Sequence, residues 1–458
     1  MLSDNIWPLS AFVPFELHQS INEGKITEVM KDKLAVFNEI KAGDTEKENM
    51  AGAIMKELQG LPVRNDFPFK EPSVLEEIRN ERPGTVKYPG FDMSTMDDSK
   101  LFDRIYGAWL GRCVGCLLGQ PVEFWHRERF NGLLKDTDNY PIKYYVSSAI
   151  DDEIRKKYDV RDQAWIYGVA TASWINNIKH MPEDDDINYV ILALKLLEHE
   201  GAKFTPESVA GRWIMDLPFL HTFTAERIAY ANIVNGVFPP ESAIYRNPCR
   251  EWIGAQIRGD FYGWINPGNP EFAAEMAWRD ASISHTKNGI YGEMFISAML
   301  AATVFTNNAE ELIQYGLSQI PEKSRFTEAV NSVVTWKKQG LDWEQAIDRI
   351  HELYNEKEEY DSLYVLPNAM VVCTGLIYGE MDFEKSIGIA VTGSFDRDCN
   401  GATVGSIVGL VLGASALPEK WIKPLNDTVK SGIDGFGMEK ISDLAHRTVK
   451  ITKKLMGE

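Results

Sequence analysis

Apolar residues recur at helical spacing through most of the chain. In "INYVILALKLLEHEG", Tyr189, Leu192, Ala193, Leu196 and Leu197 fall at i, i+3, i+4, i+7 and i+8, one face of a helix that Gly201 can end. From Leu101 onward such patterns alternate with polar loops, and runs of alternating β-branched residues are scarce, so the main domain reads as all-α. Ahead of it, "INEGKITEVMKDKLAVFNEIKAG" and "PSVLEEIRNERPG" predict charged helices. The Pro, Gly and polar residues of "RPGTVKYPGFDMSTMDDSK" mark a boundary. The expected division is a helical N-terminal extension over 1–95 and an all-α domain over 96–458.

Two helical stretches carry glycine every fourth residue. Gly107, Gly111, Gly115 and Gly119 lie in "YGAWLGRCVGCLLGQPVE", and Gly401, Gly405, Gly409 and Gly413 in "DRDCNGATVGSIVGLVLGAS". That spacing stacks them on one helix face. A helical glycine costs up to ~1 kcal/mol relative to alanine, so the stripes need a reason, and close approach of two buried helices supplies it. Gly119 and Pro121 end the first helix and leave Glu123 just past its end. The second is expected to start near Asn400, with Asp396 and Asp398 just before it.

A third acidic element, Glu183 to Asp186, precedes the helix that carries Tyr189. One aspartate is expected as an N-cap and a second suits the helix dipole. Four consecutive acids repel one another unless a cation sits among them. Three apolar helices thus present carboxylates at their ends. Hard oxygen donors of this kind suit Mg²⁺, Mn²⁺ or Ca²⁺, and six of them could hold two ions.

Composition narrows the partners. The 458 residues carry a net charge of −19, which argues against nucleic acid or an anionic membrane surface. No basic segment precedes an apolar run at the start, and "VGSIVGLVLGASAL" is shorter than the ~20 residues of a membrane span. Five cysteines, an odd number, suggest reduced thiols and a cytoplasmic location. Cys113 and Cys116 form a C-x-x-C inside a helical pattern with no second pair, which favours core packing over zinc.

With those residues in view, "YGAWLGRCVGCLLGQPVE", "EDDDINY" and "DRDCNGATVGSIVG" resemble the three metal-binding signatures of the ADP-ribosylglycohydrolase family. "SISHTKNGIYGEMFISAMLAA" resembles its Ser-His and Asn-Gly segment, and the likeness runs from about residue 101 to 425. The resemblance implies an all-α bundle around a dinuclear Mg²⁺ or Mn²⁺ cleft and hydrolysis of an N- or O-glycosidic bond to ribose. Asp184, Asp185, Asp186, Asp396, Asp398 and Cys399 would hold the ions. Glu123, Asp185 and Asp186 would be catalytic, and His285, Asn288, Gly289, Tyr291 and Gly292 would meet substrate. The implied partner is a small ADP-ribose or nucleoside-type molecule, or an ADP-ribosylated protein.

Two departures stand out. Arg397 and Cys399 occupy places where the family pattern has threonine. A cation is tolerable there if it turns away from the metals, and a thiol is a poor partner for Mg²⁺. They keep open a non-catalytic ADP-ribose or nucleotide-binding protein of the same fold. An isoprenoid synthase, also helical and aspartate-rich, is the remaining alternative, although no acid follows Asp398 in the glycine helix. Asp151 and Asp152 could mimic the aspartate signature, but Asp185 and Asp186 are followed at once by a good helix. In the aromatic segment 238–272, Trp252, Tyr262 or Trp264 could stack on a base and Arg258 could meet a phosphate, with ordinary packing the simpler reading.

Overall fold

The computed structural model describes residues 8–84, 86, 88–92, 96–162 and 173–457. At its centre lie two antiparallel helices, Asp98–Gly119 and Arg397–Leu412. Their glycine stripes face each other, Gly107 against Gly409, Gly111 against Gly405 and Gly115 against Gly401. A Cβ on Gly115 would stand 1.9 Å from the Gly401 carbonyl oxygen, and one on Gly111 2.0 Å from that of Gly405. Nothing but glycine lets the two backbones meet. Gly413 serves a different end, terminating the second helix at φ +81° against the Asp103 side chain.

Other helices wrap this pair, each burying an apolar face. Val365–Gly379 and Phe383–Thr392 pack beside Arg397–Leu412. Ile441–Met456 covers Asp98–Gly119, where the Trp109 indole N–H donates to Thr448 Oγ1 at 3.1 Å. Lys287–Ala302, almost wholly buried, packs on Pro270–Ala281. The described strands are short, Thr428–Lys430 antiparallel to Met438–Lys440, with Val429 opposite Glu439. The all-α expectation holds.

The N-terminal region carries the helices Val13–Asn22, Lys31–Glu39 and Thr45–Gly60. Asp44 caps the last of these by accepting from the Glu46 N–H at 2.9 Å, and Ala51, Ile54, Met55 and Leu58 form its buried stripe. Its attachment to the rest is both apolar, with Phe15 against Trp252 and His18 stacked on Tyr360, and polar. Buried Arg250 pairs with Glu16 at 2.8 Å and with Glu23 at 3.1 Å. Gln19 donates to Glu251 at 2.6 Å, and Arg325 bridges Glu71 and Glu251. Burial of paired charges on this scale ties the N-terminal region firmly to the segment that begins at Arg250.

Candidate metal centre and cleft

Both central helices reach the same end of the bundle, where their carboxylates converge. Asp396 is the N-cap of Arg397–Leu412 and Asp398 lies in its first turn, so this helix begins slightly before the expected Asn400. The backbone turns into it through Ser394 at φ 77° and Phe395 at φ 59°, left-handed values that are costly for non-glycine residues. Asn368 fixes the turn, its Oδ1 accepting from the Asp396 N–H at 3.0 Å and from Asn400 Nδ2 at 2.8 Å. Glu123 follows a short 3-10 turn past Gly119 and is itself followed by Phe124 at φ 61°.

The third acidic element arrives on Asp185–Glu200. Asp184 is its N-cap, accepting from the Asp186 N–H at 3.0 Å, and Asp185 and Asp186 occupy the first turn. Gln120 Nε2 reaches Asp184 Oδ2 at 2.7 Å, tying this corner to the end of the first glycine helix. Asp186 is gripped from below by Arg112, whose Nη2 lies 2.8 Å from Oδ1 and whose Nε donates to the Asp186 carbonyl at 2.9 Å. The same guanidinium meets Asp260 at 2.9 Å.

Two groups of ligand atoms result, each within 4.8 Å of one another: Cys116, Asp184, Asp186 and Asp398, and then Asp396, Asp398 and Cys399. Asp398 belongs to both. Asp186, Asp398 and Asp396 are 0%, 2% and 6% exposed. Burial pushes Glu123, Asp185 and Asp398 well above the usual carboxylate range, and neighbouring carboxylates push them further. Glu123 Oε2, Asp186 Oδ2, Asp396 Oδ1 and Asp398 Oδ1 are buried with no hydrogen-bond partner. Unpartnered buried carboxylate oxygens that repel one another are costly, and divalent cations would satisfy all of them. The donor set, mostly hard carboxylate oxygens with two thiols among them, therefore fits hard divalent ions.

Arg397 turns away from the cluster. Its guanidinium donates to the Trp125 carbonyl at 2.9 Å, to Ser394 Oγ at 2.9 Å and to the Val391 carbonyl, and lies over the Phe130 ring. Cys399 stays at the cluster, its thiol pushed well up by burial. Cys116 is the residue that sequence reasoning assigned to the core. It is fully buried, as expected, yet its sulfur lies among the carboxylates. Asp151 merely caps the short helix Asp152–Lys157, accepting from the Glu153 N–H at 2.8 Å.

A cavity of about 300 Å³ opens beside the centre. Glu123, Asp185, Asp396 and Cys399 line one side, and Phe223, Glu226, Trp252, Ile253, Gly254 and Ile257 another. Glu226 was not singled out from the sequence, where it reads as an ordinary first-turn acid of Ala225–Val234. It is held by Arg258 at 3.0 Å, and a Cβ on Gly254 would stand 1.9 Å from its Oε1. Burial pushes its carboxyl up to about 7, with Arg258 pulling the other way.

The remaining sequence candidates sit behind this wall. His285 is buried, its Nδ1 2.8 Å from Ser284 Oγ and its Nε2 3.9 Å from Glu226 Oε1. Burial and Arg258 hold its imidazole well below the ordinary histidine value, in the neutral form. Asn288 Nδ2 donates to Glu251 at 2.7 Å and to Glu71 at 3.0 Å, and the Tyr291 hydroxyl donates to the Pro72 carbonyl. Gly289 packs against the Arg250 carbonyl and Gly292 against Val365 and Gln256. Of the aromatic-segment candidates, Trp252 lines the cavity. Tyr262 donates to Asp280 and Trp264 to Ser406, while Arg258 is shared by Glu226, Asp280 and Glu293.

No curated protein matches the chain. Among solved structures 45 chains match. One, described as an ADP-ribosylglycohydrolase-related protein complex, is 16% identical with a TM-score of 0.45, the alignment covering 78% of this chain and 99% of that one. The family profile of ADP-ribosylglycohydrolase matches residues 97–455, from the residue that caps the first glycine helix to the last turn of the final helix. That span contains both glycine helices, the aspartate helix and every carboxylate of the centre, and so the chain belongs to the ADP-ribosylglycohydrolase family.

Proposed function

We propose that this protein is a metal-dependent hydrolase of a glycosidic bond to ribose, acting on an ADP-ribosyl or related nucleoside-type substrate. The observation that carries the reading is the set of unpartnered, buried carboxylate oxygens on Glu123, Asp186, Asp396 and Asp398 beside a cavity of about 300 Å³. Asp184, Asp186 and Asp398, with Cys116 beside them, would hold one ion, and Asp396, Asp398 and Cys399 a second. Mg²⁺ or Mn²⁺ ions held there would supply a water acidic enough to attack near neutral pH and a positive charge for the ribose hydroxyls.

The chain's own residues do the rest. Glu123 lines the cavity beside the carboxylate cluster, so it is placed to take the proton of the attacking water and return it to the leaving group. Asp185 and Asp396 face the same space, and their carboxylates would stabilise the positive charge that develops at the anomeric carbon as the glycosidic bond breaks. His285 lies behind Glu226, its Nε2 3.9 Å from Oε1 and buried without a hydrogen bond. Asn288, Gly289 and Gly292 back the Arg250–Gln256 segment of the wall, a supporting part in substrate binding, while the Tyr291 hydroxyl donates to the Pro72 carbonyl.

Family membership supports this reading over an isoprenoid synthase. The turning away of Arg397 lessens one motive for a non-catalytic binder. No described helix is long and apolar enough to cross a membrane. The test is a hydrolysis screen of nucleosides, O-acetyl-ADP-ribose, ADP-ribosyl-serine and ADP-ribosyl-arginine with Mg²⁺ and with Mn²⁺. Release of free sugar or ADP-ribose that needs the metal supports the reading; tight product binding without turnover under any metal would move it to a binding protein.

A further inference from the structure

One wall of the cleft beside the metal centre is built from two segments far apart in the chain. Trp252, Ile253 and Gly254 come from the first, Glu359 and Leu363 from the second. Their backbones meet where Trp252 and Tyr364 pair as an isolated antiparallel bridge and the Val365 N–H donates to the Glu251 carbonyl at 3.1 Å.

The helix Val13–Asn22, which lies ahead of the family-matched span 97–455, packs against both segments. Three consecutive residues of the first segment each meet it. Arg250 pairs with Glu16 and Glu23, Glu251 with Gln19, and the Trp252 ring with that of Phe15 at 5.5 Å. On the second segment the His18 ring stacks on Tyr360 at 4.1 Å, and Tyr360 stands edge to face with Trp252 at 5.8 Å.

Gln19 joins the two segments through one side chain. Its Nε2 donates to Glu251 Oε1 at 2.6 Å and to Glu23 Oε1 at 3.1 Å, and its Oε1 accepts from the Tyr360 hydroxyl. The residue is 0% exposed, so water does not compete for these bonds. Glu251 and Tyr360 each stand next in sequence to a cavity-lining residue, Trp252 and Glu359. A displacement of either therefore moves the lining with it. Apolar contact alone would dock the helix, whereas directional bonds from a buried amide also fix where the two segments stand relative to each other.

Resting on the hydrolase reading above, we infer that Gln19 and Phe15 are positioning residues of the cleft, holding the Trp252 and Glu359 segments in place for an ADP-ribosyl substrate. The N-terminal region then shares in substrate recognition from behind the wall.

The experiment measures ADP-ribose affinity by calorimetry, with Mn²⁺ present, for the full wild-type chain, Gln19→Ala and Tyr360→Phe, together with amide hydrogen exchange of each. Ile54→Ala, in the buried stripe of Thr45–Gly60, controls for lost stability in the N-terminal region. Gln19→Ala should bind ADP-ribose about tenfold more weakly, the scale on which misplaced binding groups act. Tyr360→Phe, which removes only the hydroxyl, should weaken binding in the same direction, and it decides the matter if Gln19→Ala does not fold. Exchange should rise at 250–254 and 359–364 and stay unchanged in Asp98–Gly119. Mn²⁺ affinity should not change, and Ile54→Ala should bind ADP-ribose as the wild type does. Unchanged ADP-ribose affinity in the folded variants, or an equal loss in Ile54→Ala, overturns the inference and leaves the hydrolase reading intact. A parallel loss of Mn²⁺ affinity also overturns it, since the effect would then lie in the fold as a whole. Failure of the wild type to bind ADP-ribose overturns the inference, and the hydrolase reading falls with it only if no ribosyl substrate is cleaved either.

Discussion

Arg112 and Asp186 form a fully buried pair in which Nη2 lies 2.8 Å from Oδ1, while Asp186 Oδ2 is left without a partner and faces the carboxylate cluster. One oxygen is fixed by the first glycine helix and the other is free for a ligand. Asp260 shares the same guanidinium, so the arginine balances two buried acids. Removing one member of such a set strands the others without compensation.

Arg112→Ala should therefore destabilise the fold by about 3–5 kcal/mol. Arg112→Lys keeps the charge and loses the forked geometry, so its stability should lie between those of the alanine variant and the wild type. Thermal or denaturant unfolding reads both. A loss below about 1 kcal/mol for Arg112→Ala would mean that the pair does not organise this corner.

The glycine contacts give a paired expectation. At Gly115 an added methyl would stand 1.9 Å from the Gly401 carbonyl oxygen, which only separation of the two helices could relieve. Gly115→Ala should cost at least about 1–3 kcal/mol and disturb the metal centre, because the helix mouths move apart. Gly211, inside the helix Pro206–Asp216, has no neighbouring atom within 4 Å of such a methyl. Gly211→Ala should be neutral or stabilising by up to ~1 kcal/mol. The unfolding curve of Gly115→Ala should shift to lower stability, while that of Gly211→Ala stays or shifts to higher stability.

Glu226 makes stability depend on pH in the metal-free protein. Its carboxyl is pushed up to about 7 in the fold by burial, from an ordinary value of 4.5. A raised value means that the folded form binds the proton more tightly than the unfolded one. The associated stability is fully present below about pH 4.5 and is lost as pH rises through about 7. Glu226→Gln removes this dependence, so the fall in melting temperature between pH 5 and pH 8 should be smaller in the variant. Parallel pH profiles would show that Glu226 titrates alike in both states.

Cys399 sits with Asp396 and Asp398, a soft donor beside hard ones. Mg²⁺ gains little from sulfur and Mn²⁺ tolerates it better. Cys399→Ser should shift the ratio of Mg²⁺ to Mn²⁺ affinity towards Mg²⁺ by about tenfold, the usual scale of changes around a metal ligand. Direct titration of each ion measures the ratio, and an unchanged value would place the thiol outside the coordination sphere.

The parts of this protein legible in its sequence are those that repeat locally. Glycine every fourth residue announced both central helices, and the structure sets the stripes face to face. Acids next to helix-ending and helix-starting signals marked Glu123, Asp184 to Asp186, Asp396 and Asp398, and the fold gathers them at one end of the bundle. Residues whose role depends on a distant partner were hidden. Glu226 gains its place from Gly254 and Arg258, and nothing in "TAERIAYANIV" signals that meeting. Cys116 lies one residue along from Gly115, where a buried thiol looks like any core side chain until Asp184, Asp186 and Asp398 arrive from elsewhere. Asn288 and Tyr291 are directed to Glu71, Glu251 and Pro72 by the docking of the N-terminal region, which no local pattern specifies.

The central claim is that the carboxylates at the mouth of the glycine-helix pair form a divalent-cation centre. Calorimetric titration of Mn²⁺ into the wild type and into the double variant Asp396→Asn/Asp398→Asn tests it most directly, with circular dichroism to check that both are folded. The wild type should bind up to two equivalents, and the folded variant should lose that binding. Equal binding by the two proteins, or no binding by the wild type, would contradict the claim.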